Sequence, residues 1–319
     1  MGVRRMGLDS GARIVLEQCL AIKPGERVLI VTDTKKEPIG RVLFSKAIEL
    51  GAEAIMLTML PRSRHGEEPP RPVAEAMKRA DVVICPTEYS LTHTQARKEA
   101  CEAGARIATM PGITEDMFSE GAMTADYREL AEITAKVAEL LTKAEEAMIE
   151  NGGKRLALSL KGRRALASAG LIHRPGEFGN LPTGEAYIAP VEGTANGELI
   201  VDGSVAGIGI LRSPLRIEVE DGIAVGIFGD SAAELERILG GGRESRNVAE
   251  LGIGTNRRAR LIGIALEDEK IYGSIHIALG DNSTFGGTVR AGVHIDCILL
   301  RPTLYLDDEK VVDRGELKV

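Results

Sequence analysis

The order of apolar and polar positions divides the chain into two textures. Up to about residue 110, short β-branched runs alternate with amphipathic stretches. Strands are predicted over Arg27-Val-Leu-Ile-Val-Thr-Asp33 and over 52–60, 81–86 and 105–110, and helices over 10–20, 38–50, 72–78 and 93–102. This alternation predicts βαβ units and a mainly parallel sheet, with ligand sites beyond the carboxyl ends of the strands. A long periodic stretch, 127–150, followed by Asn151-Gly152-Gly153, predicts one more helix with a glycine stop. A flavodoxin-like α/β domain is therefore expected over 1–153.

From residue 154 the pattern changes to short strands separated by glycines, at 155–159, 185–190, 197–201, 215–219 and 223–227 and again at 273–279, 293–300 and 303–306. One helix, 231–239, runs into Gly240-Gly241-Gly242. A β-rich, mostly antiparallel α+β domain is expected over 154–319. The proline-containing, charged segment 61–71 reads as an exposed loop.

Composition narrows the function classes. A length of 319 residues favours two cores over one. No apolar run is long enough to span a bilayer, and the first residues do not resemble a signal peptide, so a cytoplasmic protein with no membrane partner is expected. A net charge of −7, no Trp and 3% aromatic residues argue against nucleic acid as a partner. Cys19, Cys85, Cys101 and Cys297 have no C-x-x-C spacing and read as small buried hydrophobes. No glycine-rich phosphate cradle follows a first-half strand, and no G-x-S-x-G turn is present.

Candidate chemistry gathers in the second half. In a strand, side chains two apart leave the same face. Within Val293-His294-Ile295-Asp296-Cys297-Ile298, the imidazole and carboxylate share one face while Val293, Ile295 and Cys297 pack on the other. His276, in Ser274-Ile-His-Ile-Ala-Leu-Gly280, repeats the alternation. Glu250 lies in the apolar Asn247-Val-Ala-Glu-Leu-Gly-Ile-Gly254, where a metal would offset the cost of burying a carboxylate. Glu185 follows Asn180-Leu-Pro-Thr-Gly184 at the head of a strand-like run. Imidazole with carboxylate is a ligand mixture used by zinc, manganese, cobalt and iron(II).

Taken together, Asn180-Leu-Pro-Thr-Gly-Glu185, Ala249-Glu250 with Gly254-Thr-Asn256, His276-Ile-Ala-Leu-Gly280 and Gly292-Val-His-Ile-Asp296 resemble the M29 metallo-aminopeptidases, the aminopeptidase T family. The resemblance implies Glu185, Glu250, His276, His294 and Asp296 as ligands of two divalent ions, zinc, cobalt or manganese. It also implies hydrolysis of small peptides from the amino end in a homodimer. The proton carrier there would be Glu185 or Glu250. The family's tyrosine ligand falls on Ser283.

The same residues also resemble the related 2,5-dihydroxypyridine dioxygenases. That resemblance implies one iron(II) held by Glu250, His294 and Asp296, with His93 of the first domain as acid or base. His65 and His173 read as surface or loop residues.

Overall fold

The computed structural model describes residues 2–319. The chain forms two compact units, one from residues up to Glu129 with Gly170–Thr183, the other from Leu130–Ala169 with Gly184–Val319.

In the first unit, five parallel strands lie in the order Glu53–Met59, Arg27–Asp33, Val82–Thr87, Arg106–Pro111 and Phe178–Asn180. This is the strand order of flavodoxin-like sheets, as expected. Its fifth strand, however, comes from far along the chain. Val31, Val83, Cys85 and Ile107 share a buried core with Val73 and Met77 of the Arg71–Met77 helix. The Arg27–Asp33 and Val82–Thr87 strands are buried on both faces, which explains why they read as continuous apolar runs. The helix expected from 93 begins at Gln95, because Thr94 caps it by accepting from the Arg97 N–H at 3.2 Å. The first helix starts earlier than expected, at Gly2–Arg13, and continues as a π-helical turn through Ile14–Cys19.

The helix expected over 127–150 ends at Lys143, and Glu146–Asn151 is a strand. Asn151 pairs with Lys154 across Gly152 and Gly153, whose φ values of 55° and 76° make a tight hairpin. The glycine pair turns a strand and does not stop a helix, and Ala147 and Ile149 alternate inward at a period of two. A boundary at 153 would therefore cut a hairpin, and the compact units divide elsewhere.

The second unit holds two antiparallel sheets. One has eight strands, with the Ile223–Phe228 and Glu316–Leu317 strands at its edges and the 146–159 hairpin inside. The other has seven strands. Its middle carries, as neighbours, His294–Leu299, Ile275–Gly280, Val248–Gly254 and Glu185–Ile188. One face of this sheet is apolar: Ile188, Leu251, Ile253, Ile275, Ile277, Leu279, Cys297 and Leu299 join one core cluster. The Val248–Gly254 strand lacked a readable alternation because all seven of its residues are buried and two are glycine. All four cysteines are free, and no helix of the described residues is long and apolar enough to cross a membrane.

Candidate metal centre

The face opposite the core carries the chemistry, and strand register puts it there. Glu250 stands opposite Ala278, which stands opposite Asp296, while His276 faces Gly252 and His294 faces Gly280. Glu185 pairs with Gly254 at the sheet's next strand. All five residues expected from sequence thus lie on one face, separated by glycine and alanine. A bulge helps: Val248 pairs with Leu279 and Glu250 with Ala278, so the extra residue Ala249 sets the phase of the glutamate. The room is measurable, since a Cβ on Gly252 would lie 1.9 Å from His276 Nε2.

Their side chains form a connected series. His294 Nε2 lies 3.4 Å from Asp296 Oδ1 and 3.5 Å from Glu250 Oε2. His276 Nε2 lies 3.1 Å from Glu250 Oε1 and 3.5 Å from Glu185 Oε2. Among the described residues, ligand atoms of Glu250, His294 and Asp296 fall within 4.8 Å of one another, the spacing of a shared cation. Glu185 and His276 stand one step further along. His276 is completely buried, whereas 32% of the His294 side chain remains accessible, so the cluster opens on the His294 side.

Which ring nitrogen carries the proton decides what the cluster can hold. His294 Nδ1 lies 2.8 Å from the Asp281 carbonyl oxygen, which can only accept, so Nδ1–H is the donor. In the neutral ring the Nε2 lone pair then faces two carboxylates, an arrangement that repels unless a cation lies between them. Metal-bound histidines are oriented by such a carbonyl. The Asp281 turn is itself fixed, its carboxylate accepting from Ser283 N–H at 2.9 Å and Ala291 N–H at 3.0 Å. Ser283, at the position where a tyrosine ligand was expected, donates its hydroxyl to Asp281 at 2.8 Å.

Without a metal, protons fill the same need. Burial alone would lower His294, but the Asp296 charge and hydrogen bond, with Glu250, take it up to about 10. Burial likewise opposes protonation of His276, yet the hydrogen bond to Glu250 and the charges of Glu185, Glu250 and Asp296 bring it up to about 9. Burial would raise Asp296, and the positive charge and hydrogen bond of His294 outweigh it and hold the carboxyl well below its ordinary value. A divalent ion satisfies this donor set without those protons. The residues fit a metal.

Several members were not foreseen. Lys270, 1% exposed, places Nζ 2.6 Å from Glu185 Oε1 and also pairs with Glu269. Glu185, expected as ligand or proton carrier, is therefore tied on one oxygen to an ammonium. Phe285 lies edge-on to the His294 ring at 5.7 Å and to Tyr187 at 5.6 Å, walling the open side with aromatic surface. Nothing in the Asp-Glu-Lys run at 268–270 marks it in the sequence as part of the site, whereas Gly252 is a signal, since a side chain there would meet the His276 ring.

His93 belongs to the first unit, on the exposed turn between the Val82–Thr87 strand and the Gln95–Glu102 helix, and the cluster is assembled without it. His65 and His173 lie in exposed loops, the first accepting from Ser90 N–H and the second donating to the Gln18 carbonyl.

The cluster is one that could hold a metal ion, and the relatives of the chain are enzymes. The model of the NicX family, 2,5-dihydroxypyridine 5,6-dioxygenase, matches residues 10–319, and the chain belongs to that family. It is 26% identical over 262 residues to the 2,5-dihydroxypyridine 5,6-dioxygenase of Pseudomonas putida, covering 76% of this chain and 72% of that one. The structure of 2,5-dihydroxypyridine dioxygenase from Pseudomonas putida KT2440 matches with a TM-score of 0.82 at 19% identity, over 98% of this chain and 97% of the other. Wild-type AmpT from Thermus thermophilus matches with a TM-score of 0.72 at 18% identity, over 98% and 99%. At such identities the two structures speak for the fold. The expectation of an aminopeptidase is therefore corrected in rank: family membership favours the oxygenase, while peptide hydrolysis is left with a likeness of fold.

Proposed function

We propose that this protein is a ring-cleaving oxygenase for a small hydroxylated aromatic or heteroaromatic compound, of the kind its family is named for. Glu250, His294 and Asp296 would hold one iron(II). The observation that carries this reading is the orientation of His294 Nε2, its lone pair turned toward Glu250 and Asp296 at 3.5 and 3.4 Å. Three protein ligands on one side leave coordination positions open, which suits iron(II) oxygenases, although one imidazole with two carboxylates differs from the commoner two-histidine set. Bound there, the ion supplies the redox chemistry and vacant positions that dioxygen activation requires.

The chain's own residues then have distinct tasks. His276 donates to Glu250 from the buried side and fixes that carboxylate. Asp281 holds the His294 tautomer. Phe285 and Tyr187 give a flat ring an aromatic surface beside the ligands, worth about 0.5–1.5 kcal/mol per well-formed pair beyond burial. Burial, and then the charges of Glu185 and Glu250, push the Tyr187 hydroxyl up, so it stays a neutral phenol near neutral pH. In ring opening by a dioxygenase, one ring C–C bond breaks, both atoms of O₂ enter the product, and the ring supplies the electrons. No external reductant is consumed.

The test is O₂ uptake by anaerobically iron-loaded protein given 2,5-dihydroxypyridine, run beside Leu-p-nitroanilide hydrolysis with zinc, cobalt or manganese. Iron-dependent uptake with loss of ring absorbance is expected, and His294→Ala should lose both the uptake and the ion. His93→Ala should retain iron and lose turnover if His93 is the acid or base. Amide hydrolysis without oxygen consumption would reverse the reading in favour of the peptidase.

A further inference from the structure

The hydrolase expectation needs a second ion, and its ligands would come from the inner end of the series, Glu185 and His276. Glu185 is 8% exposed, and its Oε2 is buried without a hydrogen-bond partner, 3.5 Å from His276 Nε2. Its other oxygen faces the Lys270 ammonium at 2.6 Å, and the same ammonium meets Glu269. Divalent ions bind carboxylate oxygens at about 2.0–2.2 Å. An ion held by Glu185 Oε2 and His276 Nε2 would share that carboxylate with the Lys270 ammonium, which already neutralises its charge and repels a second cation beside it.

The backbone around Lys270 is tied to the site sheet. The Asn256 N–H donates to the Lys270 carbonyl at 2.9 Å, and a Cβ on Gly254 would lie 2.0 Å from the Ile271 carbonyl oxygen, so the 270–271 peptide rests directly on the site sheet. A cation delivered by a turn hydrogen-bonded to the site sheet competes with dissolved ions at high effective concentration.

We propose that Lys270 is a built-in monovalent cation standing beside the place where a second metal would bind, and that by neutralising Glu185 it fixes the centre at one divalent ion per chain. This rests on the three-residue ligand set of the proposed function. It gives Lys270 the role of a positioning residue that determines metal number, and leaves it out of the chemistry.

The experiment is Mn²⁺ titration of EDTA-treated full-length protein, with bound metal counted after desalting and the Mn²⁺ EPR spectrum recorded. Wild type should bind one equivalent with the six-line signal of an isolated ion. Lys270→Gln should bind two and give a spin-coupled spectrum, while Lys270→Arg stays at one. A count of two in wild type, or of one in Lys270→Gln, overturns the proposal. A count of zero in wild type sinks the three-ligand reading itself. Should Lys270→Gln fold neither with nor without Mn²⁺, Glu185→Gln decides: one equivalent is expected, and none would mean that Glu185 ligates the single ion, against the proposal.

Discussion

Gly252→Ala puts one methyl group into the most crowded point of the site face. The new Cβ would lie 1.9 Å from Nε2, 2.2 Å from Cε1 and 2.7 Å from Cδ2 of His276, a ring with no exposed surface. Ordinary heavy-atom contact is about 3.5 Å, so the imidazole or the strand must move by roughly 1.5 Å. Such overpacking costs about 1–3 kcal/mol, and losing the buried bond from His276 to Glu250 adds about 1.5–3 kcal/mol. The thermal transition of the second unit should therefore fall by roughly 5–20 °C, taking about 2–4 °C per kcal/mol for a unit of this size. Because Glu250 loses the group that fixes it, metal affinity should drop about 10–100-fold. Calorimetry and Mn²⁺ titration of the variant measure both. Gly241→Ala is the control, since nothing lies within 4 Å of its added Cβ. Should Gly252→Ala match wild type in transition temperature and affinity, the claim that this glycine seats the imidazole is wrong.

Other expectations follow from the same geometry. In metal-free protein, folded values near 10 for His294 and 9 for His276 lie above the ordinary 6.5. Their stabilisation is thus complete below about pH 6.5 and is lost as the pH climbs through 9 to 10. Burial, then the charges of Glu185 and Asp296, outweigh Lys270 and raise Glu269 from 4.5 to about 8, which adds a loss of the same sign between those values. Urea midpoints in EDTA should fall from neutral to alkaline pH and flatten with Mn²⁺; a rise over that range would contradict the assignment. Thr94→Ala removes a helix cap in the first unit and should cost about 1 kcal/mol by denaturation while leaving the metal count unchanged.

Much of the site was legible because a strand's period of two is strict. It was enough to pair His294 with Asp296 and to set His276 opposite its isoleucines, and the register then aligned these with Glu250. The parallel sheet was legible for a related reason, its buried strands reading as apolar blocks between helices. What escaped depends on distance along the chain or on local geometry. Lys270 reaches Glu185 across 85 positions, and nothing in Asp268-Glu269-Lys270 marks the lysine as buried. The phase of Glu250 depends on a bulge at Ala249, and bulges have no signature in polarity. The 146–151 strand was hidden because its alternation continues a helical pattern with little change in composition.

The detour of 170–183 also orders synthesis. The Phe178–Asn180 strand completes the parallel sheet, but a ribosome adds it only after the 146–159 hairpin of the other unit has been made. A nascent chain stopped at Ala169 would carry that sheet with the Arg106–Pro111 strand unpaired on one side, a template for intermolecular pairing. Neither unit can be expressed by a single cut in the gene: isolating the second means starting near 130 and replacing 170–183 with a short linker.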